Sequence, residues 1–343
     1  MRRGHSRLRP WTLPLTGQRR RVPSVFSRLR RACFIGKSIL GRMTRPPTRV
    51  TRRQALATLS APALAAARYR PLLAAQIYVW TQQFQRENKS LADGIGEALA
   101  GVRRAGYRRI ELMSSCFQPG VLEKTLAAMK ATGIEVPIVY HGGPMHDEHG
   151  AQITITEALK LAELIKPLGA RFITLNPSPK PKRERKTDAE LKLQAEAVNQ
   201  LASKLKPLGL GLMLHHHDPE MAENAREWRH LLQNTPAGLV SLCLDLHWVL
   251  RGGQDVMALL RESGARTGGL HLRNSKDNVW TEAFGDGDID YAPVAAHLRR
   301  IGFSGYLMVE LAYEKATVIT RSLEENLRLS RLYAERVFGV RAS

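Results

Sequence analysis

Eight short apolar runs, each followed by a segment of helical period, constrain this chain more than any other feature. The runs are AAQIYVW, RRIELM, EVPIVYH, RFITLN, LGLMLH, VSLCLD, TGGLHL and YLMVEL, between residues 74 and 311. Segments between them, such as SLADGIGEALAGVRRAG and DAELKLQAEAVNQLASKLKPLG, repeat apolar residues at three and four. That spacing gives a helix one face to bury. Gly or Pro-Leu-Gly closes several of these segments, as a left-handed helix cap requires. Strands alternating with helices make a parallel sheet, because parallel neighbours need a long crossover. Eight units in about 270 residues fit a closed (β/α)8 barrel better than an open doubly wound sheet. No Gly-x-Gly-x-x-Gly follows the first run, which argues the same way.

The polar residues at the run ends carry the chemistry. The second run holds Glu111, the third ends at His141 and the fourth at Asn176. The fifth ends at His215, the sixth at Asp245, the seventh passes His271 with Asn274 just beyond, and the eighth reaches Glu310. In such a barrel the strand C-termini converge on the active site. An ionisable group ending a buried strand is costly unless it is paired or metal-bound. His215, Asp245, His271 and Glu310 lie on four successive strands. Two imidazoles and two carboxylates suit one divalent ion per chain, Mn, Zn, Co or Fe, with positions left for substrate oxygens. Glu310 is the first candidate for a catalytic base. His217, two residues past His215, is the second, as acid or base. Strand alternation turns His216 away from both. Asp218 and Glu220 are expected to open the following helix, where acids favour the N-terminus.

Four stretches resemble motifs of the xylose-isomerase-like barrels, specifically the sugar phosphate isomerase/epimerase group. LCLDLHWV resembles the sixth-strand motif, with Asp245 as ligand and Trp248 three later. GGLHLRNS resembles the seventh-strand His-x-Lys-Asp, with Arg273 and Asn274 in place of Lys and Asp. FGDGDIDYAPVAAHLRRIGFSGYLMVEL resembles the Gly-x-Gly-x-x-Asp segment that leads to the eighth-strand glutamate. LHHHDPEM resembles a Tyr-His-Asn-His-Asp-x-Glu-Phe motif, with Leu214 for Tyr and His216 for Asn. His215 stands where many epimerases of the group carry a second glutamate. The resemblance implies proton removal next to a carbonyl and an enediolate. Proton return then isomerises or epimerises, whereas loss of a β-hydroxyl dehydrates. The leading expectation is a metal-dependent sugar isomerase or epimerase. The alternative is a dehydratase or lyase on a keto-sugar, cyclitol or 3-keto-glycoside. A non-catalytic sugar-binding barrel has no need of the complete quartet, and an apurinic endonuclease needs three metals. Glu111, His141, Asn176, Trp248 and Asn274 are expected to bind substrate. Trp280 is a second aromatic that either stacks on a sugar or is buried. Glu282 and Asp286 either cap a loop or touch substrate.

Charge separates a leader from the body. Eighteen of the 52 Lys and Arg residues precede Pro71, and the first acid is Glu87. The remaining 34 basic residues face 31 acidic ones, so the body carries only +3 of the total +21. That balance excludes nucleic acid as the expected partner, since binding needs a basic face on the domain itself. TRRQALATLSAPALAAA, with Arg52-Arg53 and small residues after a weakly apolar stretch, resembles a twin-arginine export signal. Residues 43–67 therefore read as a signal peptide and 74–338 as the catalytic barrel. Residues 1–42 read as a disordered extension or one upstream of the true start. The resemblance implies the twin-arginine machinery as partner, a periplasmic or extracellular location, and free sugars or glycosides as substrates. No apolar run reaches the ~18–20 residues of a membrane span. Cys243 reads as a small buried hydrophobe. NPSPKPKRERKTD, residues 176–188, reads as a mobile loop over the barrel mouth, either simply solvated or a lid that attracts anions.

Overall fold

In the computed structural model eight parallel strands close on themselves. They are β1 (Leu72–Gln76), β2 (Arg109–Met113), β3 (Glu135–Gly143), β4 (Phe172–Pro177), β5 (Gly211–Leu214), β6 (Val240–Asp245), β7 (Thr267–Leu272) and β8 (Tyr306–Val309). Each pairs with its sequence neighbours, and β1 closes on β8 with Leu72 opposite Tyr306. The structure describes residues 68–342. The expectations for Arg52, Arg53 and the rest of the leader lie outside the described residues.

Both faces of these strands are apolar, as parallel strands buried on both sides must be. Ala74, Ile138, Met213, Cys243, Tyr306 and Met308 fill the barrel interior as one cluster. The alternate residues, among them Val139, Leu212, Leu244 and Leu270, pack outward against the helices in a second, larger core. Caps set the helix starts: Ser90, Asp147 and Asp255 each accept a backbone N–H of the first turn, and Thr187 with Glu190 forms a full capping box. The two Lys-Pro-Leu turns end at Gly169 and Gly209, with φ of 89° and 71°, a region that favours glycine. Among the described residues no helix is long and apolar enough to cross a membrane.

Three departures from expectation shape the mouth. The first apolar run is not all strand: β1 stops at Gln76 and a helix occupies Tyr78–Arg86. Val79, Trp80 and Phe84 bury its inner face, and Tyr78 lies close enough to Glu310 and Arg273 to feel their charges. After β7 a short antiparallel hairpin pairs Ser275–Lys276 with Val279–Trp280. Asp277 and Asn278 form its turn with φ of 53° and 62°, the paired left-handed conformation that tight hairpins require. The basic segment after β4 is not a loose loop. Arg183 forms a two-pronged pair with Asp218 at 2.8 and 2.7 Å, Arg185 meets Glu223 at 2.9 Å, and Lys180 meets Glu190 at 2.6 Å. Lys186 is buried against Glu227 at 2.6 Å and Gln194 at 2.8 Å. These cations are neutralised within the chain, which removes the reason to read the segment as an anion attractor. Asp218 and Glu220 do stand at the start of the next helical segment, beside the turn Pro219–Met221.

Candidate metal centre

His215, Asp245, His271 and Glu310 come together at the C-terminal end of the barrel. One ligand atom from each lies within 4.8 Å of the others, and all four residues are buried. The strand ladder places them: Asp245 pairs in register with His271, His215 N–H donates to Leu175, and Glu310 N–H donates to Leu272. His271 Nδ1 lies 3.1 Å from Glu310 Oε2 and 4.0 Å from Asp245 Oδ2, and His215 Nε2 lies 3.8 Å from Asp245 Oδ2. Both ring nitrogens of His215 are buried without a hydrogen-bond partner, and His271 Nδ1 and Glu310 Oε2, though at ion-pair distance from each other, make no well-formed hydrogen bond. Buried polar atoms are normally satisfied, so this concentration of orphans fits a cation bound among them.

Each ligand is oriented by a second contact. Asp245 Oδ1 accepts the backbone N–H groups of His247 and Trp248, both at 2.9 Å. That caps the helix Leu246–Arg251 and leaves Oδ2 for the centre. His216 turns outward, as expected, but is not idle. Its Nε2 accepts the Asp245 backbone N–H at 3.1 Å, and its ring meets the edge of Trp228 at 4.6 Å. Glu111 was expected to touch substrate, and the geometry corrects this. It is fully buried, takes the Thr174 hydroxyl on Oε1 at 2.7 Å, and faces His271 Nε2 with Oε2 at 2.8 Å. A carboxylate behind a histidine in this way fixes the ring's tautomer and aims its other nitrogen.

Charge is balanced by a residue the sequence had marked only as a departure. The guanidinium of Arg273 contacts Asp245 Oδ2 and lies 3.2 Å from Glu310 Oε2. Burial alone raises both carboxyl pKa values. Arg273 and the imidazoles outweigh it, holding Asp245 well below the usual range and bringing Glu310 down to about 2. Burial pushes His215 well below its ordinary value, so it is neutral. For His271 burial acts downward too, but Cys243, Glu111 and Glu310 outweigh it and favour a proton.

Around the quartet lie the remaining expected residues. His217 is half-buried, its ring 5.0 Å from His215 and edge-on to Trp248 at 5.2 Å. Burial lowers its pKa to about 4, so it is a neutral imidazole near pH 7. Its backbone N–H donates to Glu220 Oε2 at 2.7 Å. Asn176 shares the inward face of β4 with Thr174, and its buried Oδ1 has no partner, which keeps it available to a ligand. Two expectations are corrected. His141 alternates outward into the helix layer, where Nδ1 meets Ser114 Oγ at 3.2 Å. Its neighbour Tyr140 takes the inward place instead, edge-on to His215 at 5.3 Å. Asn274 is spent on the chain: its amide donates to the carbonyls of Gly285 and Ile289 at 2.9 Å each, and its oxygen accepts the N–H groups of Ser275 and Ile289. Glu282 and Asp286 anchor loops, through Thr320 and Asn326 and through Tyr333 respectively. Tyr78, Tyr140 and Arg273 were missed as site residues. For Arg273 the signal was its place two residues after His271, on the same strand face.

Comparison with known proteins identifies the architecture. Residues 99–333 match the family model described as the Xylose isomerase-like TIM barrel. The chain belongs to this family. An inosose dehydratase of Clostridium perfringens is 28% identical over 167 residues, covering 43% of this chain and 56% of the relative. The rhizopine catabolism protein MocC of Rhizobium meliloti is 24% identical over 246 residues, covering 62% and 73%. The chain spans about half the length of the inosose dehydratases it matches. Among solved structures, an L-ribulose 3-epimerase superposes with a TM-score of 0.63 at 17% identity, covering 78% of this chain and 95% of that one. The 3-keto-D-glucoside 4-epimerase YcjR from E. coli gives 0.60 at 15% identity, covering 78% and 100%. The IolI protein with a zinc atom gives 0.60 at 19% identity, covering 78% and 98%. At these identities the superpositions establish the shared fold of the family.

Proposed function

We propose that this protein is a divalent-metal-dependent enzyme that removes a proton next to the carbonyl of a keto-sugar or keto-cyclitol and then eliminates the β-oxygen substituent. The observation that carries this reading is the buried quartet with its orphan ligand atoms, set beside one uncommitted neutral imidazole. The zinc of the IolI structure and the inosose dehydratases among the relatives support it. His215, Asp245, His271 and Glu310 would hold the ion, which when bound supplies Lewis acidity to a carbonyl and a neighbouring hydroxyl.

Glu310, the first candidate for the base, is poorly suited: a carboxyl held near 2 and paired with Arg273 takes up protons weakly. His217, at about 4, is the more basic of the two, is not ion-paired and stands beside the quartet, so it is the base. It takes the α-proton, and the C–H electron pair moves toward the carbonyl oxygen. Arg273 donates toward the negative charge that develops there. Return of that charge breaks the C–O bond at the β-carbon. Protonated His217 gives its proton to the departing oxygen, so water or an alcohol leaves and the imidazole is neutral again. Trp248 offers a face to the sugar ring, and Asn176 a carbonyl to its hydroxyls.

A second reading, isomerase or epimerase, is favoured by Tyr140. Burial keeps its phenol protonated, and its ring stands edge-on to His215 at 5.3 Å, so a second O–H group lines the site. The two readings separate when the metal-reconstituted protein meets a panel of keto-cyclitols, keto-sugars and 3-keto-glycosides in D2O. Loss of water or of an aglycone is the expected result. Deuterium next to the carbonyl without such loss supports the second reading. If no substrate exchanges and metal content is unchanged by Glu310→Gln and Asp245→Asn, the catalytic reading fails and the non-catalytic sugar-binding barrel is left. We also propose twin-arginine export, on the leader's composition. Cell fractionation tests it: the paired change of Arg52 and Arg53 to Lys should retain the protein in the cytoplasm, and unchanged export would refute it.

A further inference from the structure

Arg273 occupies the place from which a cation would be held. Its side chain is 4% exposed. Its Nη2 contacts Asp245 Oδ2 and sits 3.2 Å from Glu310 Oε2. Asp245 has no other oxygen to offer, because Oδ1 is taken by the His247 and Trp248 amides. The guanidinium also lies over two rings, Trp248 at 5.0 Å and Trp280 at 4.7 Å. Trp280 is itself fixed: its indole N–H donates to His247 Nδ1 at 3.0 Å, His247 Nε2 meets Ser275 Oγ at 2.8 Å, and the Ser275 hydroxyl donates to Asp288 Oδ2 at 2.6 Å. Arg273 Nε has no hydrogen-bond partner. The side chain is thus held by two carboxylates and an aromatic clamp rather than by a full set of acceptors.

Two buried carboxylates side by side are costly without a counter-charge. A guanidinium cannot relieve the site by losing its proton. It therefore stabilises the ion-free centre with one permanent positive charge. A divalent ion requires the same oxygens, and two cations on one carboxylate pair repel. We propose that Arg273 is a resident counter-cation that competes with the metal for Asp245 Oδ2 and Glu310 Oε2, holding the ion-free site together while lowering its affinity for the ion. Binding of the ion releases the guanidinium from the carboxylates and makes it available to substrate oxygens. This inference rests on the metal-dependent reading of the centre.

The test uses the full chain stripped of metal by a chelator. Affinity for Zn²⁺ and Mn²⁺ is measured by competition with a chromophoric chelator, and Tm is measured with and without ion. The wild type, Arg273→Met and Arg273→Lys are compared. Arg273→Met should bind the ion about tenfold tighter and melt about 2–4 °C lower without it. Arg273→Lys, which keeps the charge but loses the planar fork and the stack, should fall between. If Arg273→Met folds only with ion present, that dependence is the expected coupling, and Arg273→Lys carries the affinity measurement. A folded Arg273→Met that binds the ion no tighter, or is no less stable without it, overturns the inference. A wild type that binds neither ion overturns the metal-dependent reading as well.

Discussion

At the residue scale, base and ligand support fall to different side chains, and different measurements separate them. His217→Asn should cut turnover by about 10²–10⁴-fold while the protein keeps its metal. Glu111→Ala should do the converse, weakening metal affinity about 10–100-fold by freeing the His271 ring. Equal loss of metal in both variants would refute the division. The quartet was legible because an ionisable group ending a buried strand is conspicuous, and four on successive strands leave little room for chance. The roles of Glu111 and Asn274 were not legible. Both are polar residues near strand ends, and only their partners, Thr174 and His271 for one and the 285–289 backbone for the other, show that both are committed to the chain. The outward turn of His216 followed from alternation, but its bond to the Asp245 amide did not.

At the element scale, the number and order of strands could be read from the alternation of runs, while strand parity could not. Both faces of β3 are apolar, so the run EVPIVYH does not reveal that Tyr140 points in and His141 out. The strand also continues to Gly143, two residues past the end of the run. Tyr78-Val79-Trp80 reads as strand by composition, yet packing of Val79, Trp80 and Phe84 makes it helix. The basic segment after β4 looked mobile because its prolines and cations resemble a solvated loop, and its carboxylate partners come from elsewhere in the chain. Its buried tie should matter more than its exposed ones. Lys186→Ala should cost about 3 kcal/mol by leaving the Glu227 carboxylate without its counter-ion. Arg185→Ala, an exposed pair, should stay within about 0.5 kcal/mol. Denaturant unfolding checks the contrast, and equal effects would argue against a packed strap.

At the scale of the whole molecule, the chain is a barrel whose buried histidines tie stability to pH. Burial lowers His216 to about 3, and His217 and His247 to about 4. An unfolded histidine titrates near 6.5, so between these values the unfolded chain binds more protons than the folded one. Stability should therefore fall as the pH drops from about 6.5 to 4; the contribution of His271, which is shifted upward, is fully present below about 6.5 and does not offset that fall. A melting temperature that stays flat from pH 7 to 4 would contradict the neutral state of these rings. The central claim is that His215, Asp245, His271 and Glu310 hold one divalent ion. The most direct measurement is anomalous diffraction from crystals of the protein grown with Mn²⁺ or Zn²⁺. The expected result is a single anomalous peak per chain among the four ligand atoms, with Arg273 withdrawn from Asp245 Oδ2. No peak at saturating ion, with Arg273 still on both carboxylates, would contradict it.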